Sequence, residues 1–143
     1  MIESQFNAFG YDCAITTNVC WRCGYILFPT SSPFWGKKDI SMVGCHIHGG
    51  VTFADRWERI SKEPSDLWAI GFDCLHYNDA PDFSIEPNTP EGRSAKMAFE
   101  KHQEYYSGYE HVWTAKDVRD HLMEIAQAIC QYSAELSYQG GAI

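Results

Sequence analysis

Two short stretches hold most of the residues able to do chemistry. They are His46-Ile47-His48-Gly49-Gly50-Val51-Thr52-Phe53 and Trp68-Ala69-Ile70-Gly71-Phe72-Asp73-Cys74-Leu75-His76-Tyr77-Asn78-Asp79. Each joins an apolar, strand-like segment to histidine, carboxylate and glycine, the grouping expected where a scaffold ends and a site begins. His48, Asp73 and His76 together supply a base, an orienting carboxylate and an acid. Imidazole titrates near neutral pH, and a neighbouring carboxylate can fix its tautomer. Two histidines flanking a phosphodiester could take a proton from an attacking hydroxyl and return one to the leaving oxygen, with no metal or other cofactor required.

The same residues with His46 and Asp79 could instead hold a divalent metal. An i, i+2 histidine pair on a strand is weak evidence for one, so no metal ligand is assigned. The plain competing explanation is that these histidines are structural and hydrogen-bonded. His102, His111 and His121 fall in or near the helical half and read as surface or interhelical residues. Cys74 follows Asp73 and so points to the other face of a strand, which disfavours a thiolate nucleophile. Cys20-Trp21-Arg22-Cys23 has the spacing of a zinc knuckle or redox pair but lacks a second pair, and reduced, buried thiols are favoured for all six cysteines. No serine sits in a nucleophile elbow and no GxxxxGK loop occurs, which removes kinases and P-loop enzymes.

These residues need elements to position them. Gly24 to Phe28 reads as a buried strand closed by Pro29, and Phe34-Trp35-Gly36-Lys37-Lys38 as a loop with two rings beside two cations. Ile40 to Ile47 is expected to be a second strand, with His46 and His48 on one face. Gly49-Gly50 then turns the chain into Val51-Thr52-Phe53. Asp55 to Asp66 reads as a short helix or loop. Trp68, Ile70 and Phe72 should face the core, while Ala69, Gly71 and Asp73 leave room above the sheet. Ala80 to Pro90, with three prolines, reads as a mobile loop or lid, and Glu91 to Tyr106 as a helix ending at Gly108. Thr114 and Asp117 form a capping-box pattern with Trp113 and Val118 as a staple. Val118, Leu122, Ile125, Ile129, Tyr132 and Leu136 then make an apolar stripe on a long helix ended by Gly140-Gly141, with a short frayed tail. Residues 1 to 22 show no clear period. The expected fold is α+β, a small antiparallel or mixed sheet of about four to five strands covered by the long C-terminal helix and a second helix.

The 143 residues fit one globular domain, 1–143. Aromatic residues make up 15% and charged residues only 21%, which argues against disorder. A net charge of −8 disfavours general nucleic-acid binding, because such binding depends on Lys and Arg neutralising phosphates. No apolar run has membrane length and the N-terminus has no leader pattern, so the expectation is a cytoplasmic protein without membrane contact.

Three blocks resemble a family of small, largely uncharacterised proteins encoded by bacteriophages and prophages. They are Gly24-Tyr25-Ile26 to Pro29 with Pro33 and Gly36-Lys37; His48-Gly49-Gly50-Val51-Thr52-Phe53; and Trp68 with Gly71-Phe72-Asp73-Cys74-Leu75-His76-Tyr77-Asn78-Asp79. Val118-Arg119 completes the pattern at the start of the last helix. Ser32, Leu75, Tyr77 and Asn78 depart from it, and His46 lies outside it.

The resemblance implies a phage accessory protein in the host cytoplasm, a class that often disarms host defence by acting on nucleotide immune messengers. The leading expectation is binding of a cyclic or ADP-ribose-type nucleotide and phosphodiester hydrolysis by His48, Asp73 and His76. Gly49, Gly50 and Thr52 would contact phosphate. Tyr25, Trp35 or Tyr77 would stack the base, with Lys37 and Asp79 completing the ligand set. A non-catalytic sponge for the same ligand and a protein inhibitor of a host defence factor are the alternatives. A homodimer is compatible with either nucleotide reading.

Overall fold

The structure, a computed structural model, describes residues 1–141. Strands β1 (Ile2–Ala8), β2 (Tyr11–Asn18) and β3 (Trp21–Phe28) form an antiparallel meander. After a long excursion come β4 (Phe53–Arg56), the single-turn helix α1 (Glu58–Ser61) and β5 (Trp68–Asp73). Strand β5 pairs antiparallel with β3 on one side and β4 on the other, which gives the order β1-β2-β3-β5-β4. Beyond the main sheet, β6 (Asp79–Ala80) and β7 (His111–Val112) make a two-residue parallel bridge. Helix α2 (Pro90–Lys101) lies between them in sequence, and α3 (Ala115–Gly141) closes the chain. The fold is α+β, with a five-stranded antiparallel sheet, a long C-terminal helix and a second helix.

Strand alternation divides the core into two layers. Cys13 and Ile15 of β2, Ile26 and Phe28 of β3, and Ile70 and Phe72 of β5 point at α3. The helix answers with Val118, Leu122, Ile125 and Ile129, all essentially without exposure, so four positions spaced by four and three fill the space over the sheet. Gly24 makes this contact tight: a methyl group built there would meet the Phe72 ring and Val118. Tyr132 extends the stripe to Phe34, whereas Leu136 is exposed. The capping box forms as its residues predict, with Asp117 N–H donating to Thr114 Oγ1 and Thr114 N–H to Asp117 Oδ2, each at 3.2 Å.

Ala14, Tyr25, Leu27 and Ala69 form the second layer, on the opposite face, under Trp57. The space expected above Ala69 and Gly71 is therefore filled. Tyr25 lies across Gly71 and packs its ring on Phe53 at 5.6 Å and Trp57 at 5.4 Å.

Residues 1 to 22 carry no expectation to compare, and three local expectations along the rest of the chain are corrected. Residues 1 to 22, without visible period, are two strands; β2 is buried on both faces at Cys13, Ala14 and Ile15, which erases the alternation that marks a half-buried strand. Ile40 to Ile47 is not a strand but a 3₁₀ turn at Ser41–Val43 followed by irregular chain. Asp39 captures the Ser41 N–H at 2.8 Å and its hydroxyl at 3.0 Å, and this turns the backbone away from extension. Residues 80 to 90 are no free lid. Asp82 N–H bonds Cys20 O at 2.7 Å, the Asp82 carboxylate meets Arg22, and Phe83 packs on Phe99 of α2 at 5.5 Å. Helix α2 ends at Lys101, followed by a 3₁₀ turn through Tyr105, short of Gly108. Helix α3 continues through Gly141, and the frayed tail expected after it lies outside the described residues.

Candidate functional site

Three segments converge beyond the end of β5: the loop before β4, the turn from β5 into β6, and the junction of β7 with α3. Asp79 ties the first two. Its Oδ2 lies 2.8 Å from His48 Nε2 and accepts the His76 backbone N–H, also at 2.8 Å, while Asp79 N–H bonds His76 O at 2.9 Å. The Asp79 side chain is only 3% exposed, and its Oδ2 serves both protein partners. A carboxylate only accepts, so His48 Nε2 carries the proton facing Asp79 and its lone pair sits on Nδ1. That Nδ1 makes no protein hydrogen bond and keeps access to solvent.

His76 forms a second imidazole–carboxylate pair. Its Nε2 is 3.0 Å from Asp73 Oδ1 but out of line for a hydrogen bond, so this nitrogen is buried without a hydrogen-bonding partner. The His48 and His76 rings stand 5.5 Å apart at 77°. Gly49 is what allows this: its φ is +66°, and a methyl group built there would overlap the His76 ring. Asp73 belongs by strand parity to the Tyr25 face and His48 packs near Phe72 on the α3 face at 6.4 Å. The pairs therefore meet around the strand's end and not on one sheet face, as parity alone had suggested.

His48 also forms one wall of an open cleft of about 390 Å³. Its ring lies 4.2 Å from the Trp113 indole, and the His48 N–H donates to His121 Nε2 at 3.0 Å. His46 and His111 line the same cleft with Asp117, Asp120 and Glu124, and no Lys or Arg contributes. His111 Nε2 is 3.0 Å from Asp117 Oδ2. Burial disfavours ionisation of Asp117, but Thr114 and then His111 outweigh it and hold its carboxyl below the ordinary range. Burial lowers the His121 pKa, with Glu124 opposing and His48 and His46 adding to the effect. A cleft of about 510 Å³ at the far end of the molecule is larger, but it offers Tyr11, Ser133 and Asp12 and no histidine; of the His48/His76 pair only His48 lines the smaller cleft.

Behind the site stands Arg22, which is buried. It forks onto Glu3 at 2.9 and 3.0 Å, reaches Asp82 at 2.5 Å and donates to Trp113 O at 3.1 Å. It therefore joins β3, β1, the residue 80s turn and the indole that backs His48.

The sequence-predicted residues divide. His48, Asp73, His76, Gly49 and Asp79 come together, and Tyr77, 91% exposed, stands at the tip of their turn. Gly50 closes the turn from Ile47, and Thr52 lies on the sheet edge with its N–H on Gly71 O. Tyr25 is sealed in the second layer and offers no ring face to a ligand. Trp35 and Lys37 sit at the other end of β5. The Trp35 ring packs on Trp68 at 5.2 Å, and Lys37 O accepts the Trp68 indole N–H at 2.8 Å. Five residues of strand put them about 16 Å from Asp73. His111, His121, Trp113 and Arg22 were missed as site residues. A long-range bond to main chain leaves no trace in spacing, although a charged residue inside the run from Cys20 to Phe28 was a readable signal for Arg22. Among the described residues no three His, Cys, Asp or Glu side chains converge on a point able to hold a metal ion. Burial raises Cys74 well above the ordinary thiol range, with Asp79 adding to it, and its side chain is in the helix-facing core. No protein-family model, curated protein or solved structure matches the chain.

Proposed function

We propose that the chain binds a small nucleotide at the His48/His76 site and hydrolyses a phosphodiester by histidine acid/base chemistry. Its role would be the counter-defence one implied by its likeness to phage accessory proteins. The observation that carries the chemistry is the pair of imidazole–carboxylate units with rings 5.5 Å apart. In the proposed step His48 Nδ1 takes a proton from water or a ligand hydroxyl as that oxygen attacks phosphorus. Protonated His76 gives a proton from Nδ1 to the oxygen that departs with the electrons of the broken P–O bond. Asp79 orients the His48 ring through its hydrogen bond, and Asp73, 3.0 Å from His76 Nε2, is the charge partner of the second ring. Trp113 and exposed Tyr77 supply flat surfaces for a base, replacing Tyr25 and Trp35 in that role.

Incubating the protein with a panel of cyclic and ADP-ribose-type nucleotides, heating it and identifying what is released tests the reading. Linear or shortened product, lost in His48→Ala and His76→Ala, is the expected result. Intact ligand recovered means a sponge, and no retention of any nucleotide sinks both readings. The exposed Leu75, Tyr77, Tyr105 and Tyr109 favour the second reading, a blocker of a host protein. Inhibition retained by a folded H48A/H76A double variant would support it.

A further inference from the structure

We propose that His121 is a positioning residue, one that sets the His48 imidazole by holding the His48 main chain to α3, and does so only while neutral. The acceptor for the His48 N–H is a ring nitrogen, His121 Nε2, at 3.0 Å. An N–H can donate only into a lone pair, so the His121 proton sits on Nδ1, which faces Glu124 Oε2 at 3.7 Å. The His121 ring cannot drift. It stands edge-on to Phe72 at 5.0 Å and lies 5.8 Å from Trp113, the same two rings that flank His48. One imidazole thus fixes where the loop of residues 46–49 meets the helix, and through it where His48 stands relative to Asp79.

A second proton on His121 would place an N–H against the His48 N–H and break this contact. The groups facing the ring set when that happens. Glu124 from α3 favours the charged form and His48 and His46 from the loop oppose it, with Asp117 and Asp120 of α3 and His111 of β7 lining the same cleft. Burial opposes it as well, which keeps the tether intact at neutral pH and releases it in acid. The inference builds on the acid/base reading of the site, but its test reads the tether directly.

The discriminating variants are His121→Gln, whose amide oxygen reaches the position of Nε2 and does not titrate, and His121→Phe, which keeps the packing and removes the acceptor. Exchange of the His48 amide proton is followed by NMR against pH in each. The wild type should protect this amide at neutral pH and lose protection in acid. H121Q should keep it through the acid range, and H121F should exchange it about tenfold faster or more at every pH. Equal protection in folded H121F, or an acid transition in H121Q like that of the wild type, overturns the inference; if H121F does not fold, H121Q alone decides. Where hydrolysis is found, kcat should fall in H121F with KM retained, and H121Q should restore it with the acid limb shifted down. Absence of hydrolysis with the amide results intact refutes the catalytic reading and leaves the tether standing.

Discussion

At the scale of single residues, Asp79 sets the tightest constraint, because one buried oxygen satisfies both the His48 ring and the His76 main chain. Asp79→Ala removes the acceptor of the part-buried His76 N–H and of the His48 ring and should cost about 1–3 kcal/mol in chemical denaturation. Asp79→Asn keeps the volume, but its amide also presents a donor toward His48 Nε2; it should fold normally and lose activity through the wrong tautomer. Gly49→Ala meets two obstacles, a left-handed backbone and the His76 ring, so a loss of about 1–3 kcal/mol with a displaced His76 resonance is expected. The thiols make a contrasting prediction. Burial, with Asp12 adding to it, pushes Cys13 up to about 12, and Cys74 is raised further by the same cause. Neither should react with a thiol reagent at pH 8 until the protein is unfolded, which mass spectrometry of labelled peptides would read.

At the scale of elements, the junction held by Arg22 decides whether β1, the residue 80s turn and α3 stay in register. Arg22→Ala strands Glu3 and Asp82 beside a buried gap and should cost about 3–5 kcal/mol, with Trp113 fluorescence shifting as its carbonyl is released. Burial opposes ionisation of Asp82, but bonds from Ser84 and Arg22 outweigh it and hold its carboxyl low. A depressed carboxylate stabilises the fold above its unfolded pKa. That contribution should fade as pH falls through the range below 3.8, and an Asp82→Asn variant should lack this part of the acid transition. His121, depressed from 6.5, has the same sign and acts at higher pH: its contribution is complete above the ordinary imidazole range and declines in acid. Thr114→Ala should lower stability by about 1 kcal/mol, read as a drop in melting temperature, by removing the hydroxyl that caps Asp117 N–H.

At the scale of the whole molecule, legibility followed periodicity. The stripe from Val118 to Ile129, the cap at Thr114 and the inward set Trp68, Ile70 and Phe72 were readable because each obeys one local rule, a spacing of 3.6 or of 2. Residues buried from both sides, such as Ala14, hid a strand, and Asp39 bent a segment whose composition suits extension. For the site, sequence placed His48, Asp73, His76 and Asp79 together because they sit at two chain reversals. It paired Asp73, and not Asp79, with His48 because the crossing of two loops is a tertiary fact. Trp35, Lys37 and Tyr25 suit a nucleotide by chemical type alone, and the sheet separates them from the histidines by length and by face.

Helix α3 runs on after its last fully buried residue, Ile129, and Tyr138 near its end is 80% exposed. From His121 to Tyr138 is seventeen residues, about 26 Å at 1.5 Å per residue. A fluorophore carried at position 138 would work as the far end of a pointer pivoting near the site. A tilt of about 5° at the pivot would sweep it about 2 Å, which converts movements too small to see around the histidines into a measurable change in distance to a second dye on the sheet.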